Sequence, residues 1–292
     1  MRALGVFVFA LIIQFSLAAK PYLLPKLESR IIGQDMQYTV KEGDYFQAIA
    51  EKFNVGLLAL IDANPELDPF LPKVGSKMLI PNKMLLPFVP HEGIVINLPE
   101  LRLYYFSPDS SVVHVFPVGI GKQGLATPKT KSYIGEKRKD PVWRPTKEMQ
   151  ARYFEEHGKP LAKEVPAGPD NPFGKYALRL GTSEYLIHGS NQRIGIGMRS
   201  SSGCIRLYDD DIEWLYNNVP NNTVVRIIDQ PIKMSYEETG KHIEIHRPLS
   251  DGEALSDQRY KRVLAKFVQT ESEANAIAPL LEKPNGIVVS LN

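Results

Sequence analysis

From Gly93 onward the chain is a succession of short apolar runs separated by turn residues, and this pattern limits the fold more than any other feature. Gly93 to Asn97, Leu101 to Phe106, Val112 to Ile120, Tyr176 to Leu180, Tyr185 to His188 and Thr223 to Ile228 have the lengths of strands, and Val112 to Ile120 is rich in valine. Strands that follow one another without crossover helices predict a mainly β domain, an antiparallel β-sandwich or a partly closed barrel. Two helices interrupt the series. Thr146 to His157 has Thr146 as its N-cap, and a second begins near Asp209, where consecutive acids suit the positive end of a helix dipole. The stretch between them, PLAKEVPAGPDNPFG, is too rich in proline and glycine for either element. It predicts a structured flap near a functional site.

Ahead of this domain, residues 37–82 read as a small α+β unit. Gln37 to Lys41 alternates like a strand, and Gly43-Asp44 supplies a turn and a helix N-cap. Tyr45 to Phe53 has a helical stripe, Leu57 to Ala63 a second helix stopped by Asn64-Pro65, and Lys77 to Ile80 a closing strand. With YTVKEGD, IAEKFNV, DANPEL and VGSKMLIPN in this order, the βααβ unit resembles a LysM domain, a module that binds N-acetylglucosamine-containing glycans. The resemblance implies a glycan groove between Gly43, Asp44 and Tyr45 on one side and Asn64, Pro65 and Glu66 on the other. Capping or turn formation explains Gly43 and Pro65 equally well.

The first residues, MRALGVFVFALIIQFSLAA, place one positive charge before an apolar run and small residues after it, the layout of a signal peptide covering residues 1–18. The apolar run is shorter than the ~20 residues that span a bilayer, so no transmembrane anchor is expected after cleavage. A formal net charge of +2 carries no basic excess of the kind that binds nucleic acid. Export bears directly on the single cysteine, Cys204. In an oxidising compartment an unpaired cysteine is an intermolecular partner, a reactive thiol, or an inert buried side chain.

Its neighbours favour reactivity. His188 ends the strand-like run EYLIH, and Cys204 follows Ser201-Ser202-Gly203, where glycine permits a tight turn. A thiol is nucleophilic only as thiolate and needs a base or positive field to reach that state from a pKa of about 8.5. Successive backbone N–H groups at such a turn can face a developing oxyanion.

HGS at 188–190 and SSGCIR at 201–206, with 16 residues from His188 to Cys204, resemble the active-site signature of the L,D-transpeptidases, the YkuD-fold family. TPKTKSYIGEK, DPVWRP, PAGPDNPFGKYALRL and KHIEIHRP resemble its proteobacterial branch, whose members carry a LysM module. The TPKT segment replaces a commoner Thr-Pro-X-Gly, a change expected to affect mainly a turn. Ser202 stands where many members have histidine.

The resemblance implies that Cys204 attacks a peptidoglycan stem tetrapeptide at its third residue, with His188 moving the proton. It also implies an oxyanion hole from the backbone around Ser202, Gly203 and Cys204, and substrate contacts at Gly189, Ser201 and Arg206. Arg206 suits a substrate carboxylate, or equally a salt bridge to Asp209–Asp211. The acceptor is a second stem's amine, an outer-membrane lipoprotein lysine, or water. The glycan strand is the partner of the LysM module, and no cofactor or metal is called for. His242 and His246 share a strand face roughly 13 Å apart, too far for one ion. The expected organisation is a signal peptide (1–18), the LysM module (37–82), a catalytic domain (91–229), a strand extension of that domain (230–250) and a helical segment of unassigned role (251–292).

Overall fold

The computed structural model describes residues 20–26, 29–108, 111–249 and 258–291. The signal-peptide expectation for residues 1–18 lies outside them. No helix among the described residues is long and apolar enough to cross a membrane.

The catalytic region is built on one curled nine-stranded sheet. Its strands run in the order Lys20–Leu23, Val112–Pro117, Arg102–Phe106, Gly93–Asn97, Val224–Ile228, Thr130–Lys139, Tyr176–Leu180, Leu186–His188 and Ile205–Arg206. Two pairings are parallel, Gly93–Asn97 with Val224–Ile228 and Leu186–His188 with Ile205–Arg206; the remaining neighbours are antiparallel. The partly closed barrel, rather than the sandwich, is therefore the form adopted. Closure occurs where the run from Val112 breaks after Pro117. Gly119 exchanges two backbone hydrogen bonds with Arg206, of 2.8 and 2.9 Å, and Ile120–Gly121 pairs with Arg199–Ser201. The strand that holds Arg206 at one edge is thereby joined to the chain leaving the other side of the sheet.

Both faces of the sheet are covered around Gly93–Asn97, Arg102–Phe106 and Val112–Pro117, which is why those strands read as nearly continuous apolar runs. Ile94, Ile96, Leu103, Tyr105, Phe116, Val225 and Ile227 enter the inner core with Ile187, Ile205, Leu207, Ile212 and Leu215. Val95, Tyr104, Phe106, Val113 and Val115 point outward and are covered by Ile32, Met84 and Leu86 from the lead-in and connector. Each fully buried aliphatic side chain is worth roughly 1.5–3 kcal/mol. The longest strand, Thr130–Lys139, gives no hydrophobic signal because only Ile134 of its ten residues is buried.

The N-terminal unit forms the βααβ order, with strands Met36–Thr39 and Lys77–Ile80 around helices Phe46–Phe53 and Leu57–Ala63. Phe46, Ile49, Ala50, Leu57, Leu60, Met78 and Ile80 make its core. The expected Asp44 cap is corrected: Tyr45 takes the N-cap position without a side-chain bond. The Asp44 carboxylate instead accepts from the Tyr38 hydroxyl (2.9 Å) and the Lys41 N–H (2.8 Å), fixing the turn.

Residues 230–250, expected as a strand extension of the catalytic domain, stand apart from its sheet. Ile232–Glu237 and Gly240–Ile245 form a hairpin that pairs with Val289–Ser290. Helices Gln258–Phe267 and Glu271–Glu282 pack on it through Leu264, Phe267 and Ile277 against Ile232, Ile243 and Ile245. The hairpin needs those helices to bury its apolar face.

A buried ionic cluster joins this C-terminal unit to the catalytic sheet. The Lys233 ammonium lies 2.8 Å from Glu100 and 2.9 Å from Glu244, and it also donates to the Leu85 carbonyl. Arg102 reaches the same two carboxylates at 3.1 and 2.8 Å. Glu244, Glu100 and His246 bring ligand-type atoms within 4.8 Å of one another, and these two cations offset the carboxylate charge.

Candidate active site

Parallel pairing of Leu186–His188 with Ile205–Arg206 sets the geometry of the site. Ile187 faces Ile205 in the core, and His188 lies beside Arg206. Side chains alternate along a strand, so Leu186, His188, Cys204 and Arg206 share the opposite face. A backbone hydrogen bond from Leu186 to the Cys204 thiol continues this register. His188 and Cys204 thus sit one diagonal step apart, about 8 Å between α-carbons from strand spacing and rise.

The His188 ring is buried, and its Nδ1 lies 2.6 Å from the Gly189 carbonyl oxygen. A carbonyl only accepts, so Nδ1 carries the proton and Nε2 keeps its lone pair. The orienting group is therefore a backbone carbonyl. Burial, and then the Arg206 guanidinium, push the His188 pKa down to about 3 against the effect of that hydrogen bond. The imidazole is neutral at physiological pH and able to take a proton. Cys204 is half-buried; burial raises its thiol above the ordinary value, opposed by the Leu186 hydrogen bond and Arg206. The resting site is a neutral thiol beside a neutral base, not a preformed ion pair.

Because unfolding would return His188 to its ordinary value of 6.5, the unfolded chain binds more protons than the folded one between pH 6.5 and about 3. Stability from this residue is fully present above pH 6.5 and is lost as pH falls through that window. Urea midpoints for the wild type and His188→Gln should converge on acidification; parallel curves would mean that the histidine is not buried neutral.

The loop that presents Cys204 is held from below. The Ser201 hydroxyl donates to the Cys204 carbonyl (2.6 Å) and accepts from the Gly203 N–H (3.1 Å). Thr127 donates to the Gly203 carbonyl (2.8 Å) and accepts from the Gly121 N–H (3.0 Å). Gly203 has φ +108, and a β-carbon there would sit 3.0 Å from the Tyr185 ring. Thr127, at the head of the TPKT segment, thereby braces the cysteine loop. On the other side of the site, the Ser190 N–H donates to Asp209 at the start of helix Asp209–Asn218, fastening the turn after His188.

Comparison with known proteins identifies the family. Residues 91–227 match the family pattern described as YkuD, L,D-transpeptidase catalytic domain, and residues 38–81 match a LysM domain. Probable L,D-transpeptidase YcfS of Escherichia coli strain K12 is 47% identical over 258 residues, 86% of this chain and 80% of that protein. Probable L,D-transpeptidase ErfK/SrfK of the same strain is 44% identical over 285 residues, 94% of this chain and 91% of that protein. The chain belongs to the L,D-transpeptidase family.

Within this L,D-transpeptidase the expected site residues separate into two groups. His188 and Cys204 both lie within electrostatic reach of Arg206, and the Ser202 hydroxyl meets Arg152. Gly189 and Ser201, expected to touch substrate, are instead buried and engaged internally, Gly189 through its carbonyl to His188 and Ser201 through its hydroxyl to the cysteine loop. Gly203 has its N–H taken by Ser201, which leaves Ser202 and Cys204 as the candidate oxyanion donors. Arg206 forms no ion pair among the described residues; its Nη1 meets Gln192 at 3.3 Å. The acidic run is turned elsewhere, Asp209 to Ser190 and Asp211 toward Asn54 (3.5 Å).

Two further residues reach the site, one from the helix before the flap and one from the flap itself, and no local sequence signal marked them. Arg152, on helix Lys147–His157, donates to the Ser202 hydroxyl at 3.0 Å. The Phe173 ring lies 4.7 Å from that of His188. The flap is itself anchored by buried Asn171, whose amide donates to the carbonyls of Pro141 (2.7 Å), Val165 and Pro166 (both 3.1 Å).

In the LysM module, Gly43, Tyr45, Pro65 and Glu66 are exposed and Asp44 is half-buried. Asn64 is not available to a sugar: it is buried, donating to the Leu60 and Leu79 carbonyls and accepting from the Leu79 N–H. The Phe46 N–H bonds to the Pro69 carbonyl (2.9 Å), which ties the loop after the second helix to the start of the first, and the next residue, Phe70, is exposed.

Proposed function

We propose that this L,D-transpeptidase cleaves the bond after the third residue of a peptidoglycan stem tetrapeptide through a Cys204 thioester. The carrying observation is the His188 ring, held by Nδ1 on the Gly189 carbonyl with Nε2 free, on the same strand-pair face as the one cysteine. Nε2 takes the thiol proton as sulfur attacks the carbonyl of the L-centre at position three. The resulting oxyanion is met by the Cys204 and Ser202 N–H groups. Collapse breaks the amide bond, and the imidazolium returns its proton to the departing D-alanine amine. An incoming amine then attacks the thioester, giving up a proton to His188 and restoring the thiol.

Among the described residues Arg206 has no acidic partner, and it suits a substrate carboxylate, with Arg152 a second cation near Ser202. The chain acts in the periplasm after export, with the LysM module holding the glycan strand. Tyr45 and Phe70 offer ring faces on which sugar could stack, and Gly43, Asp44, Pro65 and Glu66 form the groove walls.

The test is product analysis by mass spectrometry after incubation with disaccharide-tetrapeptide. Cross-linked dimers are expected from the wild type and no product from Cys204→Ala. Tripeptide alone would assign water as the acceptor, making the activity that of a carboxypeptidase. Full activity in Cys204→Ala would reject the nucleophile.

A further inference from the structure

The residues between His188 and Cys204 do more than link base to nucleophile: their middle part, Arg193 to Met198, is packed against the LysM module. The Gln47 amide donates to the Arg193 carbonyl (3.2 Å) and to the Tyr208 hydroxyl (3.0 Å). The Arg193 guanidinium is ion-paired with Glu51 of the same helix. The Leu58 N–H donates to the Gly197 carbonyl at 3.2 Å. Gly197, at φ +72, lies so close to Gly56 that a β-carbon on Gly197 would overlap the Gly56 backbone. Side chains also cross the boundary in both directions. Met198 packs against the LysM core, and Leu58 packs against the catalytic core.

The clamped segment connects directly to the reacting groups. The Gly197 N–H bonds to the Val118 carbonyl (3.2 Å) and the Ile120 N–H to the Met198 carbonyl (3.0 Å), after which Arg199–Ser201 pairs with Ile120–Gly121. Ser201 then holds the Cys204 carbonyl. On the other side of the clamp, Gln192 holds Arg206, and the Ser200 hydroxyl ties back to the Gly195 carbonyl at 3.2 Å. Packed groups and hydrogen bonds therefore run without a gap from Gly56 to the loop carrying the thiol.

We propose that the LysM module is a positioning element of the catalytic site as well as a glycan anchor, setting the Cys204 loop and Arg206 through Gln47, Glu51, Gly56 and Leu58. A tether acts only through local substrate concentration and is irrelevant to a substrate without sugar. A clamp governs turnover of every substrate, because a small misplacement of reacting groups lowers the rate steeply. The proposal rests on the reading of Cys204 as nucleophile.

The test uses the full chain and a glycan-free stem tetrapeptide with an amine acceptor. Gly56→Val is placed on the LysM side, where an added β-carbon would lie 3.3 Å from the Gly197 α-carbon, so the larger side chain wedges the interface open. The expected result is a fall in kcat of about tenfold with KM little changed. Alkylation of Cys204 by iodoacetamide, read by mass at the one thiol, should shift its pH profile, while sedimentation with peptidoglycan sacculi stays at the wild-type level. Should Gly56→Val not fold, Glu51→Arg serves in its place. That change alone should lower kcat, and the swap Glu51→Arg with Arg193→Glu should restore it.

Wild-type kcat and an unchanged alkylation profile in Gly56→Val, with hydrogen exchange showing the Leu58 N–H freed, would overturn the proposal. A dead Cys204→Ala beside a fully active Gly56→Val would remove the clamp alone. An active Cys204→Ala would remove the nucleophile on which it rests.

Discussion

His188→Gln should lower kcat/KM for transfer by roughly 10²–10⁴-fold, the usual worth of a positioned general base. The substitution keeps much of the ring's volume, so the loss is chemical rather than a packing defect. The pH profile should change as well as the rate. In the wild type the base is neutral at every pH above about 3, so no acid limb from His188 is expected between pH 5 and 8. Burial keeps the thiol protonated across that range. The wild-type rate should therefore be nearly flat. Without the base, only preformed thiolate reacts, and its population rises about tenfold per pH unit below the thiol pKa. A log-rate plot of slope near one for His188→Gln, against a flat wild type, is the expected outcome. Equal slopes would mean that His188 does not take the thiol proton.

Lys233→Met should destabilise the folded chain by about 3–5 kcal/mol, the typical cost of leaving a buried charge without its partner. The Lys233 side chain is fully buried, and its ammonium is spent on Glu100, Glu244 and the Leu85 carbonyl. Its removal leaves two buried carboxylates sharing Arg102. Burial raises the Glu244 pKa, but Lys233, His246 and Arg102 together outweigh that and hold it well below the usual carboxylate range, Lys233 contributing most. The loss should appear in urea unfolding, with hydrogen exchange rising first in residues 232–245, the hairpin that the cluster ties to the sheet. Adding Glu244→Gln should recover part of the stability, since one of the orphaned charges is then gone. A change below about 1 kcal/mol would place the cluster with exposed pairs in its energetic weight.

The legible parts of the fold were those whose physics is local. Strands such as Gly93–Asn97 and Tyr176–Leu180 are buried along nearly their whole length, so their apolar runs announce them. The helix Lys147–His157 is marked by Thr146, whose hydroxyl accepts the Met149 N–H. Thr130–Lys139 carries no such mark because its side chains are mostly in solvent. It is a strand through backbone pairing with Val224–Ile228 and Tyr176–Leu180, partners far away in sequence. The hairpin at 232–245 was readable as strands but not as a separate sheet, since its partner Val289–Ser290 is only two residues long.

The site divides in the same way. His188 and Cys204 stand in one short signature and could be named from it. Their orienting and supporting groups could not. Gly189 acts through a carbonyl, which has no residue-type signature, and Thr127, Arg152 and Phe173 reach the site only through the folding of the sheet and flap. Asn64 went the other way. A residue type suited to binding sugar is consumed by bonds that hold the module together.

The most direct test of the central claim is intact-protein mass spectrometry of enzyme quenched in acid during turnover of a stem tetrapeptide whose side-chain amine is blocked, with no other amine acceptor. The expected result is a covalent acyl-tripeptide adduct that maps to the fragment containing Cys204, disappears on addition of an acceptor amine, and is absent from Cys204→Ala. Product formation by Cys204→Ala at the wild-type rate, or an adduct on any other residue, would contradict it.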